Sequence, residues 1–457
     1  MNAVLLSGLL GVVMMFASFL FRTKAPVRIL AILGMAVLLV ANVLDTKGIH
    51  FFHVNTTGFL SFTGYALFFN TIVIACTLIF FLISSKDMQK VGNHYAEYFA
   101  LIFFILTGIF LVTAFTNLLI LFIGIEIISI PLYILTGSAK KDLKSNEAAL
   151  KYFLMGAFST GVMLMGIALI YGATGTFDIT KMNIAGLLKS NLLTAGMLML
   201  LFSMCFKVSI APFHFWTPDV YDGAPNVFTS FMATIVKVGI FVGFLHLFYT
   251  AFDAIALQWK IWMAVLAALT LLVGNITAVF QQSVKRMLAY SSISQAGFML
   301  FALVAMNETA HEGLLLYAIA YCLATIGVFG IISKMTDYSF DGFNGLAGHQ
   351  PLVALCVAIF MLSLAGIPLS AGFLAKFYML KAVIQAGGYM WLVIFGVLMA
   401  AVSAYYYFRV IQAMYFKEGP NHFSGISAFE KCVLVGICVL IVFTGLFPNI
   451  IFGWMYF

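Results

Sequence analysis

The stretch Phe206-Lys-Val-Ser-Ile-Ala-Pro-Phe-His-Phe-Trp-Thr-Pro-Asp219 places a lysine and a proline inside a long apolar run. A charged lysine at the centre of a bilayer costs at least ~2.5–3.5 kcal/mol, and a proline removes a backbone donor that hydrocarbon cannot replace. We therefore expect Lys207 and Pro212 to face protein or water inside a helical bundle. In a membrane-spanning chain, this combination predicts a broken helix on an ion or proton path.

The composition of the chain is that of a membrane protein. Of its 457 residues, 63% are hydrophobic and only 9% are charged, whereas soluble domains are about 45–50% apolar and about 25% charged. At about 20 residues per span, this length predicts an all-α polytopic membrane protein with about 14 transmembrane helices. The net charge of +7 comes from single basic residues near helix ends, which is typical of cytoplasmic loops and gives no support to nucleic-acid binding.

Fourteen apolar runs follow one another without a soluble insertion or a low-complexity tract, so we predict a single transmembrane domain. The first run lacks a basic leader and a cleavage site, and we expect it to be retained as a helix. The runs cover 1–21, 29–44, 65–84, 97–116, 117–136, 147–172, 192–218, 226–250, 258–280, 288–306, 312–334, 352–386, 388–416 and 431–454.

Alternate connections between these runs differ in their basic residues. The odd-numbered connections hold Arg22, Lys24, Arg28, Lys86, Lys90, Lys140, Lys141, Lys144, Lys285, Arg286, Lys334, Lys417 and Lys431. The even-numbered connections hold fewer, chiefly Lys47, Lys181, Lys189 and Lys260. Because cytoplasmic loops carry the excess of lysine and arginine, we predict cytoplasmic odd connections and both termini on the outer, periplasmic side.

Two runs contain helix-breaking residues in the middle of an apolar segment. The seventh is interrupted at Pro212 and the twelfth at Pro368, within Gly366–Gly372. Paired interruptions of this kind indicate transporter repeats, and an offset of five helices reverses the direction of the second copy. Lys207 precedes its proline whereas Lys376 follows Pro368, so the two copies differ in detail. We predict two inverted five-helix repeats with broken helices 7 and 12, covering 97–250 and 258–416, between flanking helices in 1–96 and 431–457.

Several ionisable residues lie inside the apolar runs. The deep ones are Glu126, Lys207, Lys237 and Lys376, in the fifth, seventh, eighth and twelfth runs. An isolated buried ion pair is commonly no better than an apolar substitute, so several such residues in one chain favour conduction over structure. Lys151 is shallower, and Glu147 lies four residues before it. A structural ion pair on one helix explains Lys151 as well as a conduction role does.

Glu126 and Lys207 have the chemistry of a switch. A lysine holds its proton beside a carboxylate and releases it more readily when the carboxylate moves away. We therefore hypothesise that Lys207 passes its proton to Lys237 through water when Glu126 withdraws. This hypothesis requires Glu126 and Lys207 to face each other across the fifth and seventh helices.

Two histidines are possible further relays. An unperturbed histidine titrates near neutral pH. His246, however, lies nine residues after Lys237, which is the opposite face of a regular helix at about 100° per residue. His214 follows Pro212 and could equally satisfy the backbone groups that the break leaves free. We predict that Asp219 and Asp222 lie in a turn between the seventh and eighth helices, and turn chemistry explains both without a function. Proton entry from the cytoplasmic side is the less favoured alternative.

The chain resembles the antiporter-like membrane subunits of respiratory complex I, the proton-pumping NADH:quinone oxidoreductase. The resemblance spans essentially all fourteen runs. It rests on the stretches Leu121–Glu126, Lys151–Gly156, Tyr171–Phe177, Lys207–Pro225, Lys285–Ser292 and Ser363–Lys376.

This resemblance implies roles for the intramembrane residues. Glu126 and Lys207 match the glutamate of helix 5 and the lysine of helix 7 in the proton path. Lys237 matches the central lysine of helix 8, Lys376 the exit-side lysine of helix 12, and Lys151 a lysine of helix 6. The implied fold has two inverted five-helix repeats.

The resemblance also implies a setting for the chain. It would carry no cofactor, because flavin, iron–sulfur clusters and the quinone site belong to partner subunits. It would lie in the bacterial inner membrane, in contact with lipid, as one subunit of a hetero-oligomer with other membrane subunits. A subunit of a multi-subunit Na⁺/H⁺ antiporter is the leading alternative, because it shares the fold and most of the lysines, and a membrane-bound hydrogenase subunit is the next.

Overall fold

A computed structural model of the protein describes residues 1–455 except 22, 188, 189 and 421. Arg22 and Lys189, two of the basic residues used to predict the orientation, lie outside this described part. Within it the chain forms nineteen α-helices. The first three are α1 (Asn2–Leu20), α2 (Lys24–Thr46) and α3 (Gly64–Val91).

The central part of the chain contains fourteen of these helices. Those before residue 252 are α4 (Tyr95–Ala114), α5 (Leu118–Thr136), α6 (Leu143–Thr174), α7 (Asn191–Lys207), α8 (Trp216–Gly223), α9 (Asn226–Phe231) and α10 (Lys237–Ala251). Those after it are α11 (Ala256–Val279), α12 (Val284–Ala305), α13 (Glu308–Ile332), α14 (Leu346–His349), α15 (Pro351–Ala365), α16 (Ala371–Ala386) and α17 (Met390–Phe416). The chain ends with α18 (Ala428–Leu446) and α19 (Pro448–Met455).

Most of these helices are membrane spans by length and composition. Twelve segments in the described ranges are long and apolar enough to cross a membrane, with α9 and α10 together forming one of them. Two further apolar helices, α7 and α15, are shorter, and each ends at one of the predicted interruptions. The prediction of an all-α polytopic membrane protein is confirmed, while the total of about 14 spans stays a prediction.

The bundle has an inner set and an outer set of helices. The apolar windows of α9–α10, α12 and α13 are each 94% buried, whereas those of α1 and α18 are only 33% buried. Large apolar side chains such as Phe19 and Leu257 remain exposed on outer helices, where lipid is their natural solvent. Polar groups of the inner helices are therefore shielded from lipid by a ring of other spans.

At the first interruption, the chain leaves the helix after Lys207 and begins α8 at Trp216. Free backbone groups here cannot be satisfied by lipid and need partners within the protein. The indole N–H of Trp216 donates to the carbonyl of Phe206 at 3.1 Å. The amide of Ala211 donates to Thr270 of α11 at 3.0 Å, which ties the loop to the second half of the chain.

The second interruption is shorter. It lies between α15 and α16, at residues 366–370, and begins with Gly366 in the left-handed region at φ +84°. A side chain on Gly372 would lie 1.9 Å from the carbonyl oxygen of Ser363, so the start of α16 approaches α15 more closely than any other residue would allow.

A π-helical segment, Met232–Val236, joins α9 to α10. Such segments hold one extra residue per turn and often occur at functional sites. Here the segment directly precedes Lys237, the first residue of α10.

Candidate functional site

Lys207 is bound across the interface between α5 and α7. It is 7% exposed, and its ammonium donates a 2.8 Å hydrogen bond to the hydroxyl of Ser129. Ser129 lies one turn after Glu126 on α5, and Glu126 is the carboxylate that acts electrostatically on Lys207. Oε1 of Glu126 is buried without a hydrogen-bond partner in the described part of the chain. Glu126 and Lys207 thus lie on facing sides of two helices, with Ser129 receiving the ammonium.

Lys237 is the most deeply buried of the central lysines, at 2% exposed. Its ammonium donates to the hydroxyl of Ser292 at 2.7 Å and to the carbonyl of the same residue at 3.1 Å. The ring of Tyr221 lies 5.7 Å from the ammonium, within the range of a cation–π contact. These contacts hold Lys237 against α12 through neutral groups.

Lys376 closes the second interruption. It is 7% exposed and donates to the carbonyls of Leu364 and Ala365, both at 2.9 Å. These carbonyls end α15, where the helix dipole concentrates negative charge and the last C=O groups have no helical partner. The ring of Phe298 lies 5.0 Å from the ammonium. Lys376 therefore acts as a helix cap as well as a buried cation.

A polar network on α12 lies between Lys237 and Lys376. The hydroxyl of Ser291, next to the partner of Lys237, is hydrogen-bonded to the hydroxyl of Tyr407. The amide of Gln295 donates to Tyr407 at 3.0 Å and to the carbonyl of Leu364 at 3.1 Å. Because Leu364 also accepts from Lys376, the network links the surroundings of the two lysines across three helices.

Lys151 lies apart from this group, in a partly exposed ion-pair cluster. Its ammonium is 2.8 Å from Glu147 and 2.9 Å from Asp219, and Asp219 also pairs with Arg286 at 3.0 Å. The prediction that Asp219 and Asp222 lie in a turn was wrong, because both belong to the short helix α8. Asp219 is in its first turn, where a carboxylate is favoured by the helix dipole.

The remaining predicted positions are the two prolines and two histidines. Pro212 and Pro368 are in the two interrupting loops, 208–215 and 366–370. His246 Nε2 is 2.8 Å from the carbonyl of Phe115, so this ring fixes the end of α4 and is not brought beside Lys237. Nδ1 of His214 is buried without a hydrogen-bond partner in the ranges that the structure describes.

Sequence reasoning did not identify the hydroxyl partners of the lysines. Ser129 follows Glu126 by three residues, which places both on one face of α5, and this spacing is the signal that could have found it. Ser292 belongs to a serine- and glycine-rich stretch whose packing and hydration roles cannot be told apart by sequence. The π-helical segment before Lys237 left no recognisable signal.

Buried lysines at two helix interruptions, inside an all-helical membrane bundle, define the class of antiporter-like membrane proteins. The chain belongs to the family described as NADH:quinone oxidoreductase/Mrp antiporter, TM, which it matches over residues 115–403. The resemblance inferred from the sequence is thereby confirmed.

Similar proteins extend this match to nearly the whole chain. NADH-quinone oxidoreductase subunit N of Trichlorobacter lovleyi is 38% identical over 97% of both chains. The protein of the same description from Cytophaga hutchinsonii is 37% identical over 99% of this chain and 98% of its own. A chain in the structure of respiratory complex I from Thermus thermophilus with bound aureothin superposes with a TM-score of 0.83, at 29% identity and 98% coverage of both chains. Within the family, the stretches Tyr171–Phe177 and Thr217–Pro225 predict subunit N over subunits L and M, in agreement with the relatives.

Proposed function

We propose that this chain is the N-type, proton-translocating membrane subunit of an NADH:quinone oxidoreductase. Electron transfer from NADH to quinone takes place in partner subunits, and this chain uses the energy to move protons. The observation that carries the proposal is the near-full-length similarity to two proteins described as subunit N. The buried lysines at both interruptions supply the chemistry that such a subunit needs.

The proton path begins at the pair on α5 and α7. With Glu126 close, Lys207 keeps its proton, and with Glu126 withdrawn the ammonium bound to Ser129 is the better donor. The proton passes through water to Lys237 and then to Lys376, the exit-side lysine. Moving a single carboxylate is enough to reverse the preference of Lys207, because an interaction inside a low-dielectric bundle is much stronger than in water.

The surroundings of the chain follow from the same proposal. Flavin, iron–sulfur clusters and quinone are held by partner subunits, and this chain is one member of a hetero-oligomer of membrane subunits in the bacterial inner membrane. Both termini lie on the outer side. Residues 97–250 and 258–416 form two inverted repeats, and each range contains one interruption and its lysine.

A multi-subunit Na⁺/H⁺ antiporter is the second candidate, because the matching family is named for both systems. Vesicles prepared without sodium separate the two. NADH-driven acidification that persists without sodium supports the oxidoreductase, and a strict sodium requirement supports the antiporter.

The proposal is tested by Lys237→Ala in the assembled complex. We expect normal assembly but fewer protons moved per NADH oxidised in inverted membrane vesicles, because the central station of the path is lost. Lys381→Ala is the matched control, since Lys381 lies on α16 beside the ring of Tyr378 and is exposed. Wild-type pumping in Lys237→Ala would remove the central lysine from the path.

A further inference from the structure

A small cavity lies between the surroundings of Lys237 and Lys376. Its volume is about 10 Å³, enough for about one water molecule. Polar groups from three helices line it, among them Gln295 of α12, Tyr317 and Tyr321 of α13, and Lys376 of α16. A buried water needs two to four such partners, so the site suits one bound water.

The two tyrosines on its wall differ in one respect. They lie four residues apart on one face of α13, and both are nearly fully buried. The hydroxyl of Tyr317 donates to Oε1 of Gln295. Tyr321 is 3% exposed, and its hydroxyl has no hydrogen-bond partner in the described part of the chain. A buried hydroxyl without a partner is costly, and the adjacent cavity offers the water that would satisfy it.

Tyr321 also lies next to the partner of Lys237. The side chains of Tyr321 and Ser292 are near enough for a weak hydrogen-bonding interaction that falls short of a formed hydrogen bond. Ser292 in turn accepts from the ammonium of Lys237 at 2.7 Å. On the other side, Lys376 uses two N–H groups on the carbonyls of α15. The remaining position of its nitrogen, which is a third N–H in the ammonium and the lone pair in the neutral amine, is left for a water. The hydroxyl of Tyr321 therefore lies between the two lysines, with Ser292 on the side of Lys237 and the cavity on the side of Lys376.

We propose that Tyr321 is the proton-transfer residue between Lys237 and Lys376, acting through one water in this cavity. The inference rests on the proposed function. The ammonium of Lys237 gives a proton to the hydroxyl of Ser292, whose own proton passes to Tyr321. The phenol releases its proton to the water as it receives that one, so one O–H bond breaks while another forms on the same oxygen. The water passes a proton in the same way to Lys376 in its neutral amine form, so Lys237 ends neutral, Lys376 ends charged, and no relay group keeps a charge.

The alternative connection through Tyr407 is interrupted. Gln295 joins Tyr407 to the carbonyl that binds Lys376, but it does so with amide N–H groups. An amide N–H donates a hydrogen bond and does not release its proton under these conditions, because amides are not acids near neutral pH. Gln295 therefore fixes the wall of the cavity and Tyr321 carries the proton.

The test compares Tyr321→Phe with Tyr317→Phe in the assembled complex. Both changes remove one hydroxyl from the same cavity and keep the ring, but only Tyr317→Phe takes a donor away from Gln295. We expect Tyr321→Phe to slow transfer by about 100-fold, the lower end of what a positioned proton-transfer group contributes, so protons per NADH fall as far as in Lys237→Ala. Tyr317→Phe should pump nearly as wild type yet lose more thermal stability, because a buried acceptor is left unpaired.

The readouts separate the possible failures. A merely structural role predicts the reverse order, with Tyr317→Phe the worse pump, and that result would overturn the proposal. Equal losses in both variants would overturn it too, since the cavity wall alone would then matter. If Lys237→Ala pumps normally, the proposed function itself fails, whereas normal pumping in Tyr321→Phe beside a defective Lys237→Ala rejects only the role of Tyr321.

Discussion

The two interruptions of the bundle satisfy their backbone in different ways. At the first, the indole of Trp216 binds a carbonyl at the end of α7, and the ammonium of Lys207 goes to the side chain of Ser129. At the second, the ammonium of Lys376 itself binds the carbonyls of Leu364 and Ala365, which end α15. The hydrogen bond of Lys207 goes to a side chain, whereas those of Lys376 satisfy backbone carbonyls at a helix end.

This difference bears on how easily each ammonium group can move. Lys207 can exchange a hydroxyl for the nearby carboxylate of Glu126 without leaving a backbone group bare. Lys376 cannot leave Ala365 without exposing an unpaired carbonyl in a water-poor interior, which costs about 1–3 kcal/mol. On the proposed proton path, the first half of the molecule would therefore be the switching half, and the second would hold its lysine in a fixed position.

The largest expected effect separates Lys376→Met from Lys207→Met. Both substitutions are made in a Glu126→Gln background, so that Lys207→Met does not leave a buried carboxylate without its cation. Both lysines are 7% exposed, so the relief from removing a desolvated charge is then about the same and cancels in the comparison. Lys376→Met also strips Ala365 of its bond, while Leu364 keeps the bond from Gln295. We expect Lys376→Met to be less stable by roughly 1–3 kcal/mol in thermal unfolding of the purified complex. Equal stabilities would erase the contrast.

A smaller effect is expected for Trp216→Phe, which removes the indole donor at the first interruption but keeps an aromatic ring. The freed carbonyl would draw the ammonium of Lys207 towards the helix end, so pumping and stability should both fall, the latter by about 1 kcal/mol. Trp259→Phe is the control, because the indole N–H of Trp259 donates a 2.9 Å hydrogen bond to the carbonyl of Phe252 at another helix end. It should lose similar stability but retain pumping, measured as protons per NADH. Normal pumping in Trp216→Phe would show that the indole does not protect Lys207.

The smallest effect is expected for Lys151→Ala. Its ion pairs are partly exposed, at 39% for the side chain, and such pairs contribute about 0–1 kcal/mol. We expect nearly unchanged unfolding temperature and pumping. A loss of pumping as large as in Lys237→Ala would instead place this lysine on the path and extend the switching half of the molecule.

The sequence could predict that the buried lysines face the interior of the bundle, because the free-energy cost of placing a lysine in lipid does not depend on which residues pack around it. Lys207, Lys237 and Lys376 are expensive in any apolar helix, whatever packs around it. Their partners could not be predicted, because Ser129 and Ser292 become partners only through the rotation and packing of whole helices.

Two misjudged segments show the same limit at the level of the backbone. Proline and aspartate in Thr217–Asp219 are typical of turns, but they are equally favoured in the first turn of a helix, which is what they form. The last run, predicted as one span over 431–454, is divided at Phe447, and Pro448 starts a separate helix. In both places, the residue types are compatible with two local conformations, and the sequence alone does not choose between them.

The π-helical segment has a consequence for the geometry of its span. One additional residue in a turn rotates the side chains that follow it by about 100° around the helix axis. The two ends of 226–251 therefore present their side chains in directions that one regular helix would not give. α9 accordingly contacts α3, α5 and α13, whereas α10 contacts α4, α7 and α12. A single span thus changes its neighbouring helices about halfway along its length. Lys237 lies at the point where the facing direction of the side chains changes.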